Sequence, residues 1–95
     1  MIIVSQDKKM IINFNSIVSI YVIKNYVSEE KGYQGYNIDF ATNEEINFVL
    51  ATYDTEERAK EVLQEIISKY KTTLYNTKTN ETVVNIPKVF EMPKE

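Results

Sequence analysis

Three adjacent acid pairs, Glu29-Glu30, Glu44-Glu45 and Glu56-Glu57, are where this chain comes nearest to acid–base chemistry. Two carboxylates share the roles of proton donor and acceptor only when both face one reacting bond. Neighbouring residues on a strand or helix point in different directions, and two of these pairs fall at a turn and a helix start, where acids are ordinary. The chain has no histidine and no cysteine, which removes the commonest neutral-pH acid–base group, the commonest metal ligand, thiolate ligands and disulfides. With no nucleophile set beside a base, the reading is no catalytic residue, no metal site, no cofactor and no enzyme.

Two other short motifs have bland explanations. Asp7-Lys8-Lys9 can touch a phosphate, but two lysines beside an aspartate read first as a solvated hairpin tip. Asn80-Glu81-Thr82 matches a glycosylation sequon, which is a chance match where no signal peptide precedes it. The start Met1-Ile2-Ile3-Val4 lacks the basic and apolar regions of a signal peptide, and no apolar run approaches the ~20 residues that span a bilayer, so a cytoplasmic protein is expected.

The polar stretch with the most contact potential holds Tyr26, Tyr33 and Tyr36 beside Gly32 and Gly35, the chain's only glycines. Tyrosines on an irregular segment offer large contact area with a polar handle; the competing reading folds at least two of them back over the sheet. Nucleic acid is not expected: Lys31 is outweighed by Glu29 and Glu30, and the net charge of −3 is spread along the chain.

The elements that must position these residues follow from periodicity. At 95 residues the chain supports one modest core. Ile2 to Gln6 and Met10 to Phe14 flank the Asp7-Lys8-Lys9 turn as a hairpin. Ile17 to Ile23 is apolar on both faces and predicts a central strand. Residues 24–36 break the pattern and predict a long loop or irregular hairpin. Tyr36 to Ala41 and Glu45 to Tyr53 follow as two strands, with Ile46, Phe48 and Leu50 on one face.

A capped helix comes next, with Ala59, Val62, Leu63, Ile66, Ile67 and Tyr70 along one face at 3.6-residue spacing. Asp54 and Glu57 predict its capping box, and Glu65 and Lys69 an i, i+4 ion pair. After residue 71 the pattern changes. Thr73 to Thr77 and Thr82 to Ile86 can form further strands, and Pro87 and Pro93 hold Val89, Phe90 and Met92 extended. This tail either adds a strand or packs over one end of the sheet in its own chain, or adds a strand to a partner or a second copy.

The phrases Ile3 to Lys8, Ile12 to Ile17 and Ala51 to Ile66 resemble a family of small uncharacterised proteins from low-GC Gram-positive bacteria and their prophages, over residues 1–24 and 38–70. That resemblance implies a phage or mobile-element setting and no chemistry. Hairpins followed by one helix are also similar in topology to a shortened pleckstrin-homology-like domain, although the first hairpin lacks the basic cluster of lipid-binding members.

The expectation is therefore an α+β fold: an antiparallel sheet of about five strands with one amphipathic helix packed on it. Residues 1–71 form the core and 72–95 a strand-forming or extended C-terminal extension, whose deletion leaves the core folded. The function expected is a non-catalytic protein-interaction or assembly module, with a protein partner or self-association through Tyr26, Tyr33, Tyr36, Val84, Ile86, Val89, Phe90 and Met92. The alternative is a pleckstrin-homology-like ligand or lipid-headgroup domain, favoured by a cleft joining the tyrosines to Lys8 or Lys9.

Overall fold

The computed structural model describes residues 1–44, 47–79 and 88–95, with the backbone alone for 72–79. The fold is α+β, with six strands in two three-stranded sheets and one helix among the described residues. The expected single sheet of about five strands is thus divided in two.

The first sheet starts with β1 (Ile2–Val4) and β2 (Ile11–Asn13), an antiparallel pair. Its turn is built as the sequence implies. Asp7 Oδ1 accepts from the Ser5 hydroxyl at 2.7 Å and the Lys9 N–H at 2.9 Å, and the Ser5 hydroxyl oxygen accepts from Met10 N–H. These donors, the Ser5 hydroxyl first, hold the Asp7 carboxyl below the ordinary carboxylate range. The polar side chains replace the ladder where Lys8 turns through a positive φ of 64°.

The long hairpin is β3 (Ser19–Ser28) and β4 (Gly32–Ala41); β5 (Phe48–Tyr53) completes the second sheet in the order β3-β4-β5, all antiparallel. One of two expected alternatives holds here, and one expectation changes. The segment 24–36 is an irregular hairpin, with register shifts after Lys24 and Tyr26. And β3, not central, lies at an edge, with β4 in the middle. Its two apolar faces suggested burial on both sides; instead Ile20 and Val22 pack on the core while Ile23, on the other face, and Val27 are exposed, as is Val18 just before the strand begins.

A bulge sets the inward face of β5. Ile38 pairs with Ala51 but Asp39 pairs with Val49, so Leu50 is the extra residue. Strict alternation from Leu50 would turn Thr52 inward; after the bulge Ala51 and Tyr53 are buried and Thr52 is exposed. Glu45 and Ile46, expected to begin this strand, lie outside the described residues.

The helix α1 (Glu56–Thr79) returns across the second sheet. Ala59, Val62 and Ile66 are fully buried against Ile38, Phe40 and Leu50, and Leu63, Ile67 and Tyr70 are half-buried, as their spacing requires. The N-cap is Thr55, whose hydroxyl accepts from Arg58 N–H at 3.1 Å while its carbonyl accepts from Ala59 N–H. This corrects the Asp54 capping box, because the helix begins one residue later. Thr73 to Thr77, expected as a strand, are helical. No glycine or proline occurs between Gly35 and Pro87, so nothing in the sequence stops the helix at Lys71. Thr82 to Ile86 lie outside the described residues.

The last strand, β6 (Val89–Glu91), joins β1 in parallel, with Ile3 opposite Phe90. Lys69 Nζ donates to Val89 O at 2.9 Å, and Glu65 pairs with Arg58 at 3.4 Å. Phe90 and Met92 are 8% and 3% exposed and enter the same core as Ile3 and Val62. Gln6 closes the gap between the sheets by meeting the free edge of β5 at Leu50 and Thr52.

Candidate interaction surface

The β3–β4 hairpin is longer than the sheet that supports it. Its loop is Glu29 to Lys31, closed by Gly32 at φ 66° with Lys31 N–H bonded to the Ser28 hydroxyl oxygen. Pairing of β4 with β5 begins only at Tyr36 opposite Tyr53, so the part of the hairpin beyond Tyr36 is two-stranded. Gly35 marks the transition. Its φ is 77°, and a Cβ there would stand 2.7 Å from Tyr53 O, so only glycine permits both the register shift and the approach of β5.

A two-stranded ribbon has only cross-strand contacts to cover its side chains. Tyr26 and Tyr33 meet edge-on at 5.5 Å between ring centroids and still remain 54% and 63% exposed. Lys24 Nζ lies 5.9 Å from the Tyr33 ring centroid. Tyr36 differs: it is half-buried and packs against the core. The tyrosine stretch therefore divides, with two rings at the surface and one folded inward.

Exposed apolar side chains continue from the tyrosines along β3 and to Val18, the residue before it. Val18 is 63% exposed, Ile23 46% and Val27 43%. The sequence reading missed these three as surface residues. For Ile23 the signal was present, since a strand apolar on both faces must either be covered twice or expose one face; Val18 shares the face of Ile20 and Val22 and gave no such signal.

The face of the sheet away from the helix is polar at its centre. Thr52 Oγ1 donates to Asn37 Oδ1 at 2.6 Å, Asn37 Nδ2 to Asn25 Oδ1 at 3.1 Å, and Asn25 Nδ2 to Gln34 O, making a row across all three strands. Beside it Asp39 sits between Tyr21 and Val49, 7% exposed, with no donor on Oδ1 among the described residues. Burial pushes its carboxyl above the ordinary range. It is a lone carboxylate flanked by a tyrosine and a valine, which supplies no acid–base pair.

The remaining sequence candidates are scattered. Glu29 and Glu30 occupy the exposed hairpin turn, Glu44 an exposed loop, and Glu56 and Glu57 the exposed first turn of α1, where Glu56 pairs with Lys60 at 3.8 Å. Lys8 pairs with Glu91 at 2.6 Å, both well exposed. A cavity of about 160 Å³ between the start of α1 and residues 94–95 includes Tyr53, Arg58 and Lys94, but none of Lys8, Lys9 or the three hairpin tyrosines. Tyr53 donates to Pro93 O at 2.7 Å, and burial pushes its hydroxyl up to about 12. Arg58 already serves Glu61, Glu65 and the carbonyl of Glu95.

Of the tail residues expected at a contact surface, Val89 is 45% exposed, while Phe90 and Met92 are interior. Those two are corrections, because strand pairing with β1 turns them into the core. Val84 and Ile86 lie outside the described residues. Among the described residues no group of three or more acids is placed to hold a metal, and no helix is long and apolar enough to cross a membrane.

Compared with protein-family models, with curated proteins and with solved structures, the chain matches none.

Proposed function

We propose that this chain is a non-catalytic protein-interaction module whose contact surface is the overhanging β3–β4 hairpin and the outer edge of β3. The observation that carries this reading is the exposure of Tyr26 and Tyr33 on a ribbon with no third strand beneath them among the described residues. Tyrosine is among the residues that supply most binding energy at protein interfaces, since its ring buries a large area while its hydroxyl keeps a hydrogen bond. Two such rings, with Val27 on the same ribbon, form a surface that the chain's own core does not use.

The test is capture of a partner from lysate by the parent chain and by Tyr26→Ser/Tyr33→Ser. Both rings are outside the core, so the variant keeps the far-UV spectrum and melting temperature of the parent. Losing two interface aromatics, each worth about 2 kcal/mol, lowers recovery of the partner more than tenfold. Equal recovery by the two proteins contradicts the reading, as does a parent that recovers no protein and is itself monomeric.

A further inference from the structure

We propose that the outer edge of β3 pairs antiparallel with the same edge of a second copy, about a two-fold axis at Val22. Two three-stranded sheets then become one of six, ordered β5-β4-β3-β3-β4-β5. The assignment rests on the reading of this edge as a contact surface and names its occupant.

The edges of the fold are not equivalent. On β5, Leu50 O and both backbone groups of Thr52 are taken by Gln6. On β6, Val89 O accepts from Lys69. The edge strand β2 has three residues. Strand β3 has ten, bonded to β4 on one side, and among the described residues nothing pairs with its other side. Alternate residues of such a strand turn their N–H and C=O outward, roughly five of each, and only another strand satisfies them as a row. Protected edges carry proline, several charges or little length; β3 has no proline and one charge, Lys24.

The pattern of β3 is self-complementary. About Val22, the exposed Tyr26 stands opposite the exposed Val18 of the second copy, an aromatic with a β-branched residue, a favourable cross-strand pair. Ile23 stands opposite Tyr21, and Asn25 opposite Ser19. Lys24 stands opposite Ile20, leaving the two Lys24 side chains four residues apart along the strand, about 13 Å, beyond the ~8 Å screening length in physiological salt. An axis at Lys24 would set the two ammonium groups face to face. The register shifts beyond Lys24 twist the distal hairpin, so pairing runs from Val18 to Tyr26 and leaves Tyr33 open. A two-fold interface is the commonest way in which identical chains associate.

The chain has no cysteine, so one introduced thiol reports the axis. Under mild oxidation Val22→Cys forms a disulfide-linked dimer, while Val49→Cys, on β5 of the same sheet, forms it at least tenfold more slowly. Light scattering gives the parent about twice the 11.1 kDa chain mass, falling on dilution. Val18→Lys/Ile23→Lys changes two exposed side chains, keeps the parent's far-UV spectrum and melting behaviour, and has the mass of one chain. A parent monomeric up to its solubility limit, a dimer that persists in the double-lysine variant, or equal cross-linking at positions 22 and 49 overturns the assignment. A monomeric parent whose captured protein is still lost in Tyr26→Ser/Tyr33→Ser overturns the second copy alone; a monomer that captures nothing overturns both.

Discussion

The side chain of Gln6 bonds both backbone groups of Thr52: its Oε1 accepts from Thr52 N–H at 2.9 Å and its Nε2 donates to Thr52 O at 3.1 Å. The same Nε2 also lies within bonding distance of Pro93 O and Lys94 O, and Gln6 N–H donates to Leu50 O. One amide thus does the work of a strand on the edge of β5 and ties residues 93–94 to it. Gln6→Ala is expected to cost about 1–3 kcal/mol, read by urea denaturation, because several donors and acceptors lose their partner together. Gln6→Glu keeps the acceptor but loses the donor, and is expected to destabilise as well. A neutral result for both would mean that solvent replaces the amide without loss.

Asp39 predicts a pH dependence of stability. Its folded carboxyl titrates above the ordinary 3.8 because burial disfavours the charged form. The penalty is therefore present in full at neutral pH and is relieved as pH falls through the raised folded value. Asp39→Asn keeps the shape without the charge and is expected to stabilise the protein by about 1 kcal/mol at pH 7. The gain over the parent shrinks on acidification. A destabilised variant at pH 7 would show that the charged form has a partner the structure does not reveal.

The helix start separates two readings of the same segment. Thr55→Ala removes the acceptor for Arg58 N–H and is expected to cost about 1 kcal/mol. Asp54→Ala is expected to cost much less. Thermal melts of the two single variants decide between Thr55 and the Asp54 box that the sequence suggested.

The C-terminal residues belong energetically to the core. Phe90 pairs across from Ile3 and is nearly buried, so Phe90→Ala is expected to cost about 3–5 kcal/mol, comparable with about 2–5 kcal/mol for Ile66→Ala. Removing residues 88–95 takes away Phe90, Met92 and the parallel partner of β1 together, and is expected to leave no cooperative unfolding transition. A truncated chain with a sharp transition near the parent's would contradict this.

How much of this was legible in the sequence depends on whether local pattern or long-range pairing decides the position. The helix face from Ala59 to Tyr70 and the Asp7 turn were legible, because their determinants lie within a few residues of one another. The edge position of β3 was not: two apolar faces are equally consistent with a buried strand and with an exposed contact strand. The Leu50 bulge was hidden because alternation is satisfied until the strand is paired with Ile38 and Asp39. The fate of Phe90 and Met92 depended on β1, more than eighty residues away in sequence, which no local pattern encodes. Tyr26 and Tyr33 were legible as candidates, but their exposure follows from where β5 stops, at Tyr53.

The most direct test of the central claim is amide hydrogen exchange on the chain alone and in the complex it forms, read residue by residue. If the hairpin and the edge of β3 are the contact surface, new protection appears between Val18 and Ser28, with little change in β2 or at the start of α1. Protection confined to other elements, with the β3 amides exchanging as in the free chain, would contradict it.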